Sequence, residues 1–125
     1  MKIQEIADSL PNGFHDALLH SLEIDYIIKT ATFTIDLWIG DINSNTERES
    51  YRLGNLKIKE LEYLAIDPPD QNYDQTKPQQ IDLCDALPNY PKHKPSDCFR
   101  ARFYSASTNA FIHFSGTEAS FEFTV

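Results

Sequence analysis

The chain has 125 residues, nineteen acidic against eleven basic for a formal charge of −8, and is 41% hydrophobic and 12% aromatic. With eight Phe, six Tyr and one Trp, a single domain of this length can bury a real core, which excludes wholesale disorder. The acidic balance, with a pI near 4.8, argues against a nucleic-acid partner, because phosphate binding needs a concentrated Lys/Arg surface. No apolar run reaches the roughly 20 residues of a membrane helix. Met1-Lys2-Ile3-Gln4-Glu5 does not read as a secretory signal, so a cytoplasmic chain without membrane contact is expected.

Ile3, Ile6 and Leu10 fall at helical spacing, and Pro11-Asn12-Gly13 stops the run. The first nine residues are therefore predicted to form one short helix. From Leu18 to Ile39 the period changes to two. A two-residue turn at Lys29-Thr30 would pair Ile28 with Ala31, Tyr26 with Phe33, Ile24 with Ile35 and Leu22 with Leu37. Each pair sets apolar opposite apolar, as one buried face requires. Gly40 to Arg48 is polar and reads as a loop. A third strand region runs from Tyr51 to Ile66, with apolar positions Leu56 and Ile58, then Leu61, Tyr63 and Ala65. That parity change predicts a β-bulge at Glu60-Leu61.

Residues 67–97 form a Pro-rich insertion in a single domain spanning 1–125, holding six of the seven prolines. Only Ile81 to Leu87 within it reads as a regular element. Phe99, Ala101 and Phe103 then alternate with Arg100, Arg102 and Tyr104. A turn at Gly116-Thr117 would pair Phe114 with Ala119 and Ile112 with Phe121. The fold class expected is mostly β (all-β or α+β), a single antiparallel sheet or two-layer meander of about six or seven strands with a short N-terminal helix. Cys84 and Cys98 read as free thiols, because no C-x-x-C is present and no secretory context is evident.

Two constellations carry chemistry. His15-Asp16, after the Pro-Asn-Gly turn, reads as a structural corner tied by side-chain-to-backbone bonds. Its alternative is the site of a small metal-dependent hydrolase, shared with the 67–97 segment. His20 falls on the buried Leu22 parity and His113 opposite the Ile112 row, so the two project to opposite faces and no metal site is assembled from them. The second constellation is the outer face of the first hairpin. There Glu23 would face Asp36, Asp25 would face Thr34, and Ser21 would face Trp38, with Arg100 and Arg102 as neutralising neighbours. Glu23, Asp25, Asp36 and Trp38 are the candidate binding residues, an aromatic anchor amid carboxylates. No phosphate-binding loop or nucleophile elbow is present, and no cofactor or catalytic residue is nominated.

The stretch Leu-Pro-Asn-Gly-Phe-His-Asp-Ala (10–17), then Leu-Glu-Ile-Asp-Tyr and Thr-Ile-Asp-Leu-Trp-Ile-Gly-Asp, resembles a group of small uncharacterised bacterial proteins. In that group a Gly-Phe-His-Asp-Ala corner opens an antiparallel sheet and a Pro-Pro, here Pro68-Pro69, closes the third strand. The same corner is similar to that of immunity proteins from bacterial toxin systems. The resemblance covers roughly residues 10–70 and implies a bacterial origin and a mostly β fold, with no catalytic residues. The expected function is a non-enzymatic protein-binding module, immunity- or antitoxin-like, that offers an acidic face to a basic protein. The alternatives are the hydrolase at His15 and Asp16, or an oligomeric structural protein joined through hairpin edges.

Overall fold

The computed structural model describes residues 1–40, 51–70, 76–87 and 98–124. Among these residues one helix, α1 (Ile3–Ser9), precedes eight strands: β1 (Ala17–Asp25), β2 (Thr30–Trp38), β3 (Tyr51–Lys59), β4 (Tyr63–Ile66), β5 (Gln79–Asp85), β6 (Phe99–Ser105), β7 (Ala110–Gly116) and β8 (Glu118–Phe123). They form one antiparallel sheet in the order β4-β7-β6-β5-β1-β2-β3-β8. Among the described residues eight strands stand where six or seven were expected, because a bend splits the Tyr51–Ile66 region in two. Glu60, at a φ of 49°, separates β3 from β4; where a bulge within one strand was predicted the chain changes partners, since β4 pairs with β7.

The second bend corrects the expected C-terminal hairpin. β7 and β8 do not pair with each other. Leu56 faces Phe121 and Ile58 faces Ala119 across β3 and β8, while Phe103 faces Ile112 and Ala101 faces Phe114 across β6 and β7. Gly116 turns a corner instead of reversing the chain. A Cβ there would lie 2.6 Å from Ile58 Cγ2 and 2.8 Å from the Lys59 carbonyl oxygen. Only glycine lets the bent strand press so closely on β3.

The first hairpin keeps the expected faces for Leu22, Ile24 and β2, in a different register. Asp25 pairs with Thr30, Ile24 with Ala31, and Leu22 with Phe33, a shift of four residues from the expected pairing. Tyr26 to Lys29 form the turn. Asp25 Oδ1 accepts the N–H groups of Ile27 and Ile28 at 3.0 and 3.2 Å, and Lys29 adopts a φ of 54°. An aspartate that satisfies two amides ahead of it nucleates a turn that periodicity does not register. From Leu22 to Asp25 the shift is even, so those side chains keep their face; beyond the Leu19/Ser21 bulge Leu19 pairs with Ile35, a shift of five, and Ala17 and Leu19 take the buried face in place of Leu18.

The buried face of the coiled sheet encloses an aromatic core. Phe33, Phe103 and Phe114 meet with ring centroids 5.1 to 5.4 Å apart, and Phe14 joins Phe103 edge-on at 5.6 Å. The helix buries Ile3 and Ile6 beside β8. Cys84 and Cys98 are free thiols.

Candidate functional site

The Pro-Asn-Gly corner is pinned from three directions. Asn12 Nδ2 donates to the carbonyl oxygens of Trp38 and Gly40 at 2.9 and 2.7 Å. Asp16, held at a φ of 52°, donates its N–H to Asp82 Oδ1 at 3.1 Å. Its own carbonyl accepts the Tyr51 hydroxyl at 3.1 Å. Gln80 Nε2 donates to Asp16 Oδ1 at 2.8 Å. The imidazole of His15 closes the group, with Nδ1 2.7 Å from Asp82 Oδ1 and Nε2 3.3 Å from Asp16 Oδ2.

Gln80 and Asp82 belong to the Pro-rich 67–97 stretch, so that insertion reaches the corner through β5. His15, Asp16 and Asp82 each present a ligand atom within 4.8 Å of the others, a donor set of one imidazole and two carboxylates suited to a divalent cation. Trp38 lies beside them, its ring 6.3 Å from that of His15. Sequence reasoning placed Trp38 with the acidic face and missed Asp82, Gln80 and Tyr51, whose approach depends on how β5 and β3 flank the first hairpin.

The other two described histidines have carboxylate partners of their own. His20 is the extra residue of a bulge between Leu19 and Ser21. The slip turns it outward, against the buried position its parity implied, and its Nε2 lies 2.8 Å from Asp36 Oδ2. His113 is buried under Asp67, with Nε2 3.1 Å from Asp67 Oδ1.

The four candidate binding residues share the outer face but do not form one cluster. Glu23 faces Thr32, with Lys57 next in the row, and Asp36 faces Leu18. The expected Glu23–Asp36 confrontation is absent, because the hairpin register differs. Trp38 faces Tyr51 at the far end of β2, about 26 Å along the strand from Thr30 and Asp25. Arg100 and Arg102 are engaged elsewhere. Arg102 stacks 4.0 Å over the Phe111 ring and donates to the Asp85 carbonyl, while Arg100 Nη1 donates to the Leu87 carbonyl.

Instead, Glu23 and Asp25 stand at the end of β1 that leads into the exposed turn. Tyr26, Ile27 and Ile28 are 84%, 93% and 59% exposed, three consecutive large apolar side chains presented to water. Ile27 breaks the strand alternation two residues after a turn-forming Asp, and that is the signal that could have located them. No family model matches the chain, and neither the curated proteins nor the solved structures provide a match.

Proposed function

We propose that this chain is a non-enzymatic protein-binding module that inserts the Tyr26-Ile27-Ile28 turn into an apolar cleft on a basic protein, in the manner of an immunity or antitoxin protein. The exposure of those three side chains carries the reading. Contiguous apolar residues on a surface mark interaction sites, whereas isolated ones do not. Because Asp25 already orders the turn, docking sacrifices little backbone freedom. Glu23 and Asp25 supply charge at the rim, and the overall charge of −8 steers the chain toward a cationic surface. The test places a photoreactive phenylalanine analogue at position 27 and, as control, at position 8 on the helix. A single basic protein crosslinked from position 27 and not from position 8 supports the reading; identical adducts from both positions overturn it.

A second reading rests on the His15, Asp16 and Asp82 donor set, which suits a small metal-dependent hydrolase. Trp38 is the chain's one tryptophan and stands beside the donors, so Ni²⁺ bound there would quench its fluorescence. Saturable quenching lost in Asp82→Ala and His15→Ala favours this reading. Quenching that is absent, or equal in the variants, removes it.

A further inference from the structure

Asn12-Gly13 is the chain's one Asn-Gly pair. Glycine lacks a Cβ, so its backbone nitrogen can approach the preceding side chain without hindrance. The same asparagine ties the corner to the end of β2. Its Nδ2 donates to the carbonyl oxygens of Trp38 and Gly40 at 2.9 and 2.7 Å. Both partners can only accept, so the two amide hydrogens are what they require. Gly13, at a φ of 55°, donates its own N–H to the Leu10 carbonyl at 3.4 Å. Asn12 itself is half-buried. The reactive pair is thus folded into a turn that occupies both the side-chain amide and the backbone nitrogen.

We propose that Asn12 is a site of one-way chemical modification, deamidation through a succinimide, which the closed corner restrains and its opening releases. Water or hydroxide takes the proton of the Gly13 N–H, and that nitrogen attacks Asn12 Cγ. A C–N bond forms, the Cγ–Nδ2 bond breaks, and Nδ2 leaves as ammonia with a proton from water. Water then adds to one of the two ring carbonyls and opens the ring, leaving aspartate or isoaspartate at position 12. One water is consumed, one ammonia is released and one negative charge is gained at neutral pH, with no redox change. The closed corner opposes the first step, since Nδ2 must release Trp38 and Gly40 while the Gly13 N–H must release Leu10. Local opening therefore sets the rate. The product cannot close the corner again. A carboxylate has no N–H to donate, and it brings negative charge against two carbonyl oxygens that need donors. Each event leaves a chain permanently loosened where the corner meets the end of β2.

The test follows the full chain and a synthetic peptide of residues 10–17 side by side at mildly alkaline pH. The product at position 12 is read by mass spectrometry of digests made at acidic pH. The folded chain should convert at Asn12 at least about tenfold more slowly than the peptide, and urea below the unfolding transition should bring its rate toward the peptide's. Hydrogen exchange on Asn12→Asp gives an independent readout. Amide 13 and amide 15, whose N–H donates to the Asn12 carbonyl at 3.1 Å, should exchange faster than in the parent chain. Equal rates in chain and peptide overturn the inference, because the corner then restrains nothing. So does a folded chain that stays unmodified, with or without urea, once the peptide has fully reacted. Unchanged exchange in Asn12→Asp overturns it as well, by showing that the two donated bonds do not hold the corner.

Discussion

Phe33 and Phe103 lie on β2 and β6, which the sheet order separates by two strands, yet their ring centroids are 5.4 Å apart. Three strand spacings in a flat sheet amount to about 14 Å. The sheet must therefore coil until non-neighbouring strands face each other, and the aromatic contact fills the interior. Phe33→Ala is expected to cost about 3–5 kcal/mol in denaturant unfolding, a large share of the stability of a domain this size. A loss below about 1 kcal/mol would mean that the coil does not depend on this contact.

Gly54 and Gly116 occupy the two places where bent strands press together. A Cβ at Gly54 would sit 2.3 Å from Phe121 Cζ and 2.8 Å from the Glu122 carbonyl oxygen. The ring can turn aside, but the backbone oxygen cannot move without shifting the β3–β8 ladder. Gly54→Ala and Gly116→Ala should each lower stability by about 1–3 kcal/mol, read from thermal or denaturant midpoints. Neutral variants would show the corners to be looser than this.

Asp25→Ala removes the acceptor for the Ile27 and Ile28 amides and should cost about 1 kcal/mol. Asp25→Asn keeps a side-chain oxygen there and should cost less. Hydrogen exchange at amides 27 and 28 checks the cause, since both should exchange faster in Asp25→Ala alone. By contrast, Ile27→Ser should change stability by no more than about 0.5 kcal/mol, because its side chain touches little of the fold.

Much of this architecture is legible in the chain. The helix at Ile3 and Ile6, the break at Glu60 (a change of strand and not a bulge within one) and the buried faces of β2, β3 and β6 follow from periods of 3.6 and 2. Periodicity sorts side chains between faces but says little about partners. It cannot separate pairings that differ by an even number of residues, so the turn at Tyr26–Lys29 was displaced and Glu23 was set against Asp36. Nor does it show that Gly116 bends a strand, because that depends on Ile58 and Lys59 arriving from the other half of the chain. His15 and Asp16 were visible as a corner. Asp82 joins them only because Ala17 pairs with Ile81, a contact spanning 64 positions.

Asp82→Ala should cost about 1 kcal/mol, since the Asp16 amide loses its acceptor in a partly buried setting. Asp82→Asn retains an acceptor oxygen and should restore most of it. Equal losses in both would place the effect in the carboxylate charge beside His15 instead of in the backbone bond.

In the proposed complex the ordered turn and its acidic rim make the contact. It is tested most directly by association kinetics between the chain and the protein crosslinked from position 27. Ile27→Ser/Ile28→Ser should raise the dissociation rate tenfold or more, as loss of buried apolar anchors does. Glu23→Gln should chiefly slow association, and the difference should shrink as salt rises. Unchanged rates in both variants, with the fold intact, would contradict the account and move the contact surface away from this hairpin.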